Sequence, residues 1–195
     1  MRSMTNYLAI PLLSLLATGA SSAEPSTAPA TARYTQAASG SSLTFTFTQL
    51  GAATEGRFRQ FATDLRYDEK NPAASSLKVS VQIASVDTQD SERDDAIAMP
   101  ELFDAAKFPV ATFVADSLTR TATGLEAPGK LTIRGVTREM RLPLSIKSTA
   151  AGLELSGQTA FKRLDFGIGQ GEWQSTESVG DEVKVQYKVA LVRAK

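Results

Sequence analysis

The residues best placed to do chemistry are carboxylates in the middle of the chain: Asp87, Asp90, Glu92, Asp94 and Asp95. Closely spaced acidic side chains invite comparison with a calcium-binding loop. This run lacks the central glycine and the final bidentate glutamate of such a loop. We therefore expect these acids to hydrate a turn and to cap a following helix, whose N-terminus favours negative charge.

A second candidate is the glycine-rich run Gly167, Gly169 and Gly171. A dinucleotide-binding loop needs a different glycine spacing, with a strand before it and a helix after it, whereas here another loop is predicted to follow. The triplet Asp165-Phe166-Gly167 matches a kinase element, but the chain has no histidine for a kinase catalytic loop. Both patterns indicate turns.

The chain contains no histidine and no cysteine. It therefore lacks the commonest general base, the commonest metal ligand and the thiol nucleophile. No G-x-S-x-G motif occurs, and no carboxylate pair is singled out for glycoside hydrolysis. We expect no catalytic residue, no metal site and no cofactor, so the sequence indicates a protein that is not an enzyme. The balance of 21 basic and 21 acidic residues also argues against nucleic-acid binding.

The N-terminus has the three regions of a secretory signal peptide. Arg2 is followed by an apolar run that is too short for a membrane anchor, and then by small residues. We predict a signal peptide over residues 1–23 with cleavage after Ala23, a disordered leader over 24–32 and a single domain over 33–195. No later stretch is long and apolar enough to predict stable membrane insertion.

Most of the chain after about residue 40 alternates apolar and polar residues, as half-buried strands do. About eight such strands with short links, and no helices between them, predict an all-β antiparallel fold. A two-sheet sandwich and a closed barrel both fit this pattern. We favour the barrel because it removes exposed edges and leaves an interior for one elongated ligand.

Two details of these strands are also predicted. The strand over 57–67 is expected to carry a bulge between Phe58 and Phe61, because these two residues fall out of period-two phase. Gly51 and Gly56 are expected to flank the connection that precedes it.

The segment 85–113 departs from the alternation. It predicts a short helix over 93–99 and a further turn over 101–106, separated by Pro100, which prevents one continuous helix. Its apolar side chains are expected to dock against the end or side of the sheet; they are Met99, Leu102, Phe103 and Phe108.

Four groups of residues, in this order along the chain, resemble the hallmarks of the YceI-like family. They are Ser85-Val86-Asp87-Thr88 with Arg93-Asp94-Asp95, Leu102-Phe103-Asp104, Phe108-Pro109 and Thr112-Phe113; the run GKLTIRGVTR from Gly129; the run RLDFGIG from Arg163; and the run VGDEV from Val179. The resemblance extends over residues 34–193. One departure is the absence of a histidine in the first strand, where many members have one and this chain has Ser41 and Ser42.

The resemblance implies an eight-stranded antiparallel, lipocalin-like barrel with a short helical insert, secreted to the periplasm. It implies binding of a hydrophobic or amphiphilic small molecule inside the barrel, with an isoprenoid quinone or isoprenoid phosphate as candidate ligands. On the dry faces and the insert we expect these ligand contacts: Leu43, Phe45, Phe47, Phe58, Val81, Ile83, Phe103, Phe108, Phe113, Ile133 and Phe161.

Several alternatives stay open from the sequence. Phe103 and Phe108 either face the ligand, with the insert as lid or wall, or plug the barrel end. Arg93 and Arg134 either meet a polar head group or form surface salt bridges. A homodimer is compatible with the sequence.

The predicted function is a non-catalytic periplasmic protein that carries or sequesters a long-chain isoprenoid or similar amphiphile. The alternative is a periplasmic stress-response or interaction protein whose barrel is filled by its own side chains.

Overall fold

The computed structural model describes residues 31–194. The expected signal peptide and residues 24–30 of the expected leader lie outside the described residues. The strands within the described part are β1 Ala32–Gln36, β2 Ser42–Gln49, β3 Ala52–Phe58, β4 Phe61–Tyr67, β5 Ser76–Gln82, β6 Val86–Asp87, β7 Val110–Ala115, β8 Thr119–Thr121, β9 Gly124–Ile133, β10 Val136–Thr149, β11 Gly152–Lys162 and β12 Glu182–Arg193. One α-helix, α1 Ser91–Ala98, accompanies them.

Eight of these strands close into an antiparallel barrel in the order β1-β4-β5-β7-β9-β10-β11-β12, because β12 pairs with β1 as well as with β11. Three further strands extend the same wall: β2 pairs with β12 next to β1, β3 pairs with β2, and the two-residue β6 pairs with β3. The short β8 pairs only with β9. The predicted eight-stranded antiparallel barrel with a helical insert is therefore confirmed, and closure pairs the strand edges.

The wall is interrupted where β3 ends at Phe58 and β4 begins at Phe61. This break is where the sequence predicts a bulge. Ser85 bridges it, because its hydroxyl accepts from the Gln60 N–H at 3.0 Å and donates to the Gln82 carbonyl at 2.7 Å. The predicted bulge within one strand is therefore wrong, since β3 and β4 are separate strands: β3 pairs with β2 and β6, and β4 pairs with β1 and β5.

The expected connection flanked by Gly51 and Gly56 is wrong at its second glycine, since Gly56 lies inside β3. It is opposite Phe45 of β2 in the strand register. A Cβ at position 56 would lie 2.4 Å from the Phe45 ring. The glycine therefore lets this aromatic ring lie flat against the neighbouring strand.

Two clusters of buried apolar residues occupy the inside of the barrel. We call the first the filled-end cluster; it contains Leu65, Leu77, Phe113, Ala115, Leu118, Leu125, Ala127, Leu144, Leu153, Leu155, Tyr187, Val189 and Leu191. We call the second the insert-side cluster; it contains Ile83, Ile97, Leu102, Ala111, Ile133, Phe166 and Ile168. The helical insert thus joins the core through Ile97 and Leu102, and the predicted docking of Leu102 is confirmed. The same prediction is wrong for Met99, which is 55% exposed.

The insert begins with a capped helix. Asp90 is the N-cap of α1, and its carboxylate accepts from the Arg93 N–H at 3.1 Å, which satisfies a free amide of the first turn. The helix ends before Pro100, as predicted, and turns continue to residue 107. No helix in residues 31–194 has the length and apolar character needed to cross a bilayer.

Candidate functional site

The interior of the barrel contains a cavity of about 460 Å³, bounded by the strands, by α1 and by the loop that follows β11. Sites for small ligands usually have volumes of about 300–1,000 Å³, whereas a packed core leaves few voids larger than a water molecule. The cavity therefore has the size of a ligand site.

Because side chains alternate between the two faces of each strand, the apolar side chains of several strands face this cavity together. Along β2, Leu43, Phe45 and Phe47 all face inward, and the Phe45 ring lies 5.2 Å from the ring of Phe58 across the strand pair. Leu43, Phe47 and Phe58 remain half-buried although they point inside. They are accessible because the space in front of them is not filled by other side chains.

Most of the ligand contacts predicted from the sequence lie on the cavity wall: Leu43, Phe45, Phe47, Phe58, Val81, Ile83, Phe103, Phe113, Ile133 and Phe161. The structure does not bring Phe108 to this wall. A backbone hydrogen bond from Phe108 to Asp104 closes a turn that carries its ring to the β9–β10 turn, where a Cβ on Gly135 would lie 2.7 Å from the ring. Phe103 and Phe108 therefore separate, and only Phe103 faces the cavity.

Several wall residues were absent from the predicted set. The alternation of apolar and polar residues along the strands was enough to identify most of them as inward-facing: Phe61, Leu77, Val79, Leu131, Met140, Leu142, Leu155, Val183, Val185, Tyr187 and Val189. Trp173 and Ile168 come from the loop after β11, where no periodic pattern exists to identify them.

One polar wall residue, Thr63, occupies an apolar position. It lies between Phe61 and Leu65 on β4, in the inward phase, and is 4% exposed. Its hydroxyl has no hydrogen-bond partner. A buried hydroxyl without a partner costs free energy, so this group is poised to bond to whatever fills the cavity.

The loop after β11 is held by Arg163, a wall residue that is 3% exposed. Its guanidinium donates to the carbonyls of Ile168 at 2.9 Å, Val179 at 2.7 Å, Gly180 at 3.0 Å and Ser175 at 3.3 Å. Burial lowers the pKa of Arg163. The guanidinium N–H groups that make these hydrogen bonds are therefore not available to an anionic ligand.

The mouth of the cavity is formed by α1, through Asp90, Glu92 and Arg93. Arg93 is paired with Asp90 at 3.2 Å. The second arginine with a predicted head-group role, Arg134, lies outside the wall and donates to the carbonyls of Gly167 at 2.8 Å and Pro100 at 2.6 Å. It ties the insert to the loop after β11.

Asp87 differs from the expectation that the central acids only hydrate a turn or cap the helix. Its side chain is buried and pairs with Arg57 at 2.6 Å and Arg59 at 2.8 Å. Hydrogen bonds from Arg59 and Arg57 lower the pKa of Asp87 to about 2. Asp94 instead accepts from the Thr88 N–H at 2.8 Å. Within residues 31–194, no group of three or more acidic side chains converges to hold a metal ion.

Comparison with known proteins gives consistent matches. A family model described as the YceI-like domain matches residues 34–191. A UPF0312 protein of Shewanella sp. (strain ANA-3) is 36% identical over 139 residues, which cover 65% of this chain and 71% of that protein. Protein YceI of Salmonella arizonae is 35% identical over 121 residues, covering 58% of this chain and 62% of the relative.

Solved structures show the same fold. BcnA from Burkholderia cenocepacia superposes with a TM-score of 0.73 at 30% identity, covering 76% of this chain and 94% of BcnA. A polyisoprenoid binding domain from Saccharophagus degradans, implicated in plant cell wall breakdown, superposes with a TM-score of 0.67 at 16% identity. That match covers 83% of this chain and 98% of the domain.

Proposed function

Since this chain belongs to the YceI-like domain family, we propose that it is a non-catalytic periplasmic protein that carries or sequesters a long-chain isoprenoid or similar amphiphile. The observation that carries the proposal is the apolar cavity of about 460 Å³ inside the barrel. The name of the Saccharophagus degradans neighbour, a polyisoprenoid binding domain, supports the same class of ligand.

The physical basis is burial of the ligand's hydrocarbon chain. Each Å² of apolar surface removed from water contributes about 25 cal/mol, so a long chain gains several kcal/mol inside a dry cavity. The wall supplies this surface through aliphatic and aromatic side chains such as Phe47, Val81 and Phe113. The open space in front of these residues provides room for the chain.

The polar groups on the described wall favour binding over catalysis. Arg163 is engaged with backbone carbonyls, and Arg93 is paired with Asp90. The Tyr187 hydroxyl donates to the Pro143 carbonyl, and burial raises the pKa of this phenol, which keeps it protonated at neutral pH. No nucleophile adjoins a general base on this wall, as covalent or acid–base catalysis would need.

A second candidate is an interaction or stress-response protein that carries no lipid. The filled-end cluster favours it, since side chains such as Leu65 and Leu191 pack inside the barrel away from the cavity wall and are at most 1% exposed. On this hypothesis the remaining space is too small or too short-lived to hold a ligand.

Native mass spectrometry of protein purified gently from bacterial periplasm separates the two candidates. The carrier hypothesis predicts a bound mass that extracts into organic solvent as an isoprenoid. Protein that purifies empty and does not take up added isoprenoid quinone would contradict it and favour the interaction hypothesis. N-terminal sequencing of the same sample should begin at Glu24 if the predicted signal peptide is removed.

A further inference from the structure

The cavity wall contains a hydrogen-bonding group that the protein does not satisfy. Thr63 is 4% exposed and lines the cavity, and its hydroxyl has no partner. The side-chain oxygen of Gln36 on β1 is also buried without a partner, but Gln36 does not line the cavity. An entirely hydrocarbon ligand would leave the Thr63 hydroxyl unpaired.

The charges on the wall point to the kind of polar group that belongs there. The basic residues of the described wall are Arg93 and Arg163. Arg93 is paired with Asp90, and Arg163 makes its hydrogen bonds to backbone carbonyls. A phosphate deep in the cavity would be a buried anion without a free cation, which is strongly unfavourable. At the mouth it would meet the carboxylates of Asp90 and Glu92.

We propose that the bound amphiphile has an uncharged, oxygen-bearing polar group, such as a hydroxyl, ketone or amide, which forms a hydrogen bond with Thr63 inside the barrel. The inference rests on the proposed carrier function and specifies its ligand. It favours an isoprenoid alcohol or quinone over an isoprenoid phosphate. Thr63 is then a specificity-determining residue. Its hydroxyl is buried and unpaired, whereas the other threonines of the wall are half-buried, so it favours a ligand with an oxygen at this one position.

The test compares three ligands of equal chain length: geranylgeraniol, its monophosphate and the parent C20 hydrocarbon. Trp173 is the single tryptophan of the chain and lies on the cavity wall, so its fluorescence reports binding to delipidated full-length protein. The variant is Thr63→Val, which replaces the hydroxyl by a methyl of similar size. The matched control is Thr46→Val, since Thr46 is half-buried on β2, in the outward phase between Phe45 and Phe47, and does not line the cavity.

We expect the wild type to bind the alcohol at least about tenfold more tightly than the monophosphate. Thr63→Val should weaken alcohol binding about three- to tenfold, which corresponds to one hydrogen bond. It should leave hydrocarbon binding unchanged, and Thr46→Val should leave alcohol binding unchanged. The thermal midpoint of empty Thr63→Val should equal or exceed that of the wild type, because an unpaired buried hydroxyl has been removed.

Three results overturn the inference alone: equal or tighter binding of the monophosphate, alcohol binding that is unchanged in Thr63→Val, or equal weakening of alcohol binding by the test and control variants. In all three cases the barrel still binds lipid, and the carrier function stands. If none of the three ligands binds, the carrier proposal and the inference fall together. Equal weakening by Thr63→Val and Thr46→Val would mean that the loss does not come from a hydrogen bond inside the cavity, and Thr63 would have no special role.

Discussion

Two leucine-to-alanine substitutions measure whether the cavity persists in solution. Leu65 belongs to the filled-end cluster and is 0% exposed, whereas Leu131 lines the cavity and is half-buried. Both lie on barrel strands, β4 and β9, and both substitutions remove the same atoms. Any difference in the free energy of unfolding therefore reports the packing around each side chain.

The expected magnitudes follow from that packing. Leu65→Ala removes buried atoms and leaves a new hole in a dense region, so it should cost about 3–5 kcal/mol. Leu131→Ala only enlarges a space that already exists, and part of the leucine surface is already accessible. It should therefore cost about 1–2 kcal/mol, mainly the lost burial of the removed atoms.

The assay is urea unfolding of delipidated protein, followed by far-UV circular dichroism, with the free energy extrapolated to water for each variant. Removal of lipid matters, because a ligand that binds only the folded state adds its own stabilisation. Equal costs for the two variants would refute the reasoning, since the barrel would then be as densely packed at Leu131 as at Leu65. That result would also favour the filled-barrel hypothesis.

Three further predictions concern the contacts that shape the cavity. Arg163→Leu leaves backbone carbonyls of the loop after β11 without their hydrogen-bond donor. It should therefore lower the free energy of unfolding by about 3–5 kcal/mol and speed proteolysis at residues 171–180. A loss of free energy below about 1 kcal/mol would contradict this structural role of Arg163. Asp87 has a folded-state pKa of about 2, below its ordinary value of 3.8, so its contribution to stability is complete above about pH 4 and is lost as the pH falls towards 2. Asp87→Asn should therefore lower the melting temperature at pH 7 and make it depend less on pH between pH 4 and pH 2. If the melting temperatures of the wild type and the variant change in parallel over that range, the result would argue against the pairing of Asp87 with Arg57 and Arg59. Phe103→Ala should weaken binding of an isoprenoid more than it lowers stability, because Phe103 is a half-buried wall residue; equal losses of both would show that Phe103 plugs the barrel end.

Much of the fold was predictable because strand alternation is a local property. Side chains on a strand point alternately to opposite faces, so the apolar positions of β2 and β12 identify the inward face before any pairing is known. The same alternation explains why Leu43, Phe45 and Phe47 were correctly placed on the inner surface. The break at Pro100 was equally local, since proline cannot continue a helix.

The features that were missed depend on contacts between distant segments. Asp87 looked like one more surface acid, but its partners Arg57 and Arg59 lie about thirty residues earlier, and only closure of β6 onto β3 brings them together. Gly56 looked like a turn residue until the strand register placed it opposite Phe45.

The sequence by itself therefore determined the all-β antiparallel class, the inward faces of the strands and the position of the helical insert. Each of these follows from short-range rules of backbone geometry and burial, whereas closure into a barrel depends on the pairing of β12 with β1. Only the tertiary structure decided which inward residues pack together and which face open space. It separated Phe103 from Phe108, left the Thr63 hydroxyl without a partner and directed the Arg163 guanidinium to the loop carbonyls. The physical reason is that a hydrogen-bond partner or an empty volume belongs to several chain segments at once, and local sequence does not specify their spacing.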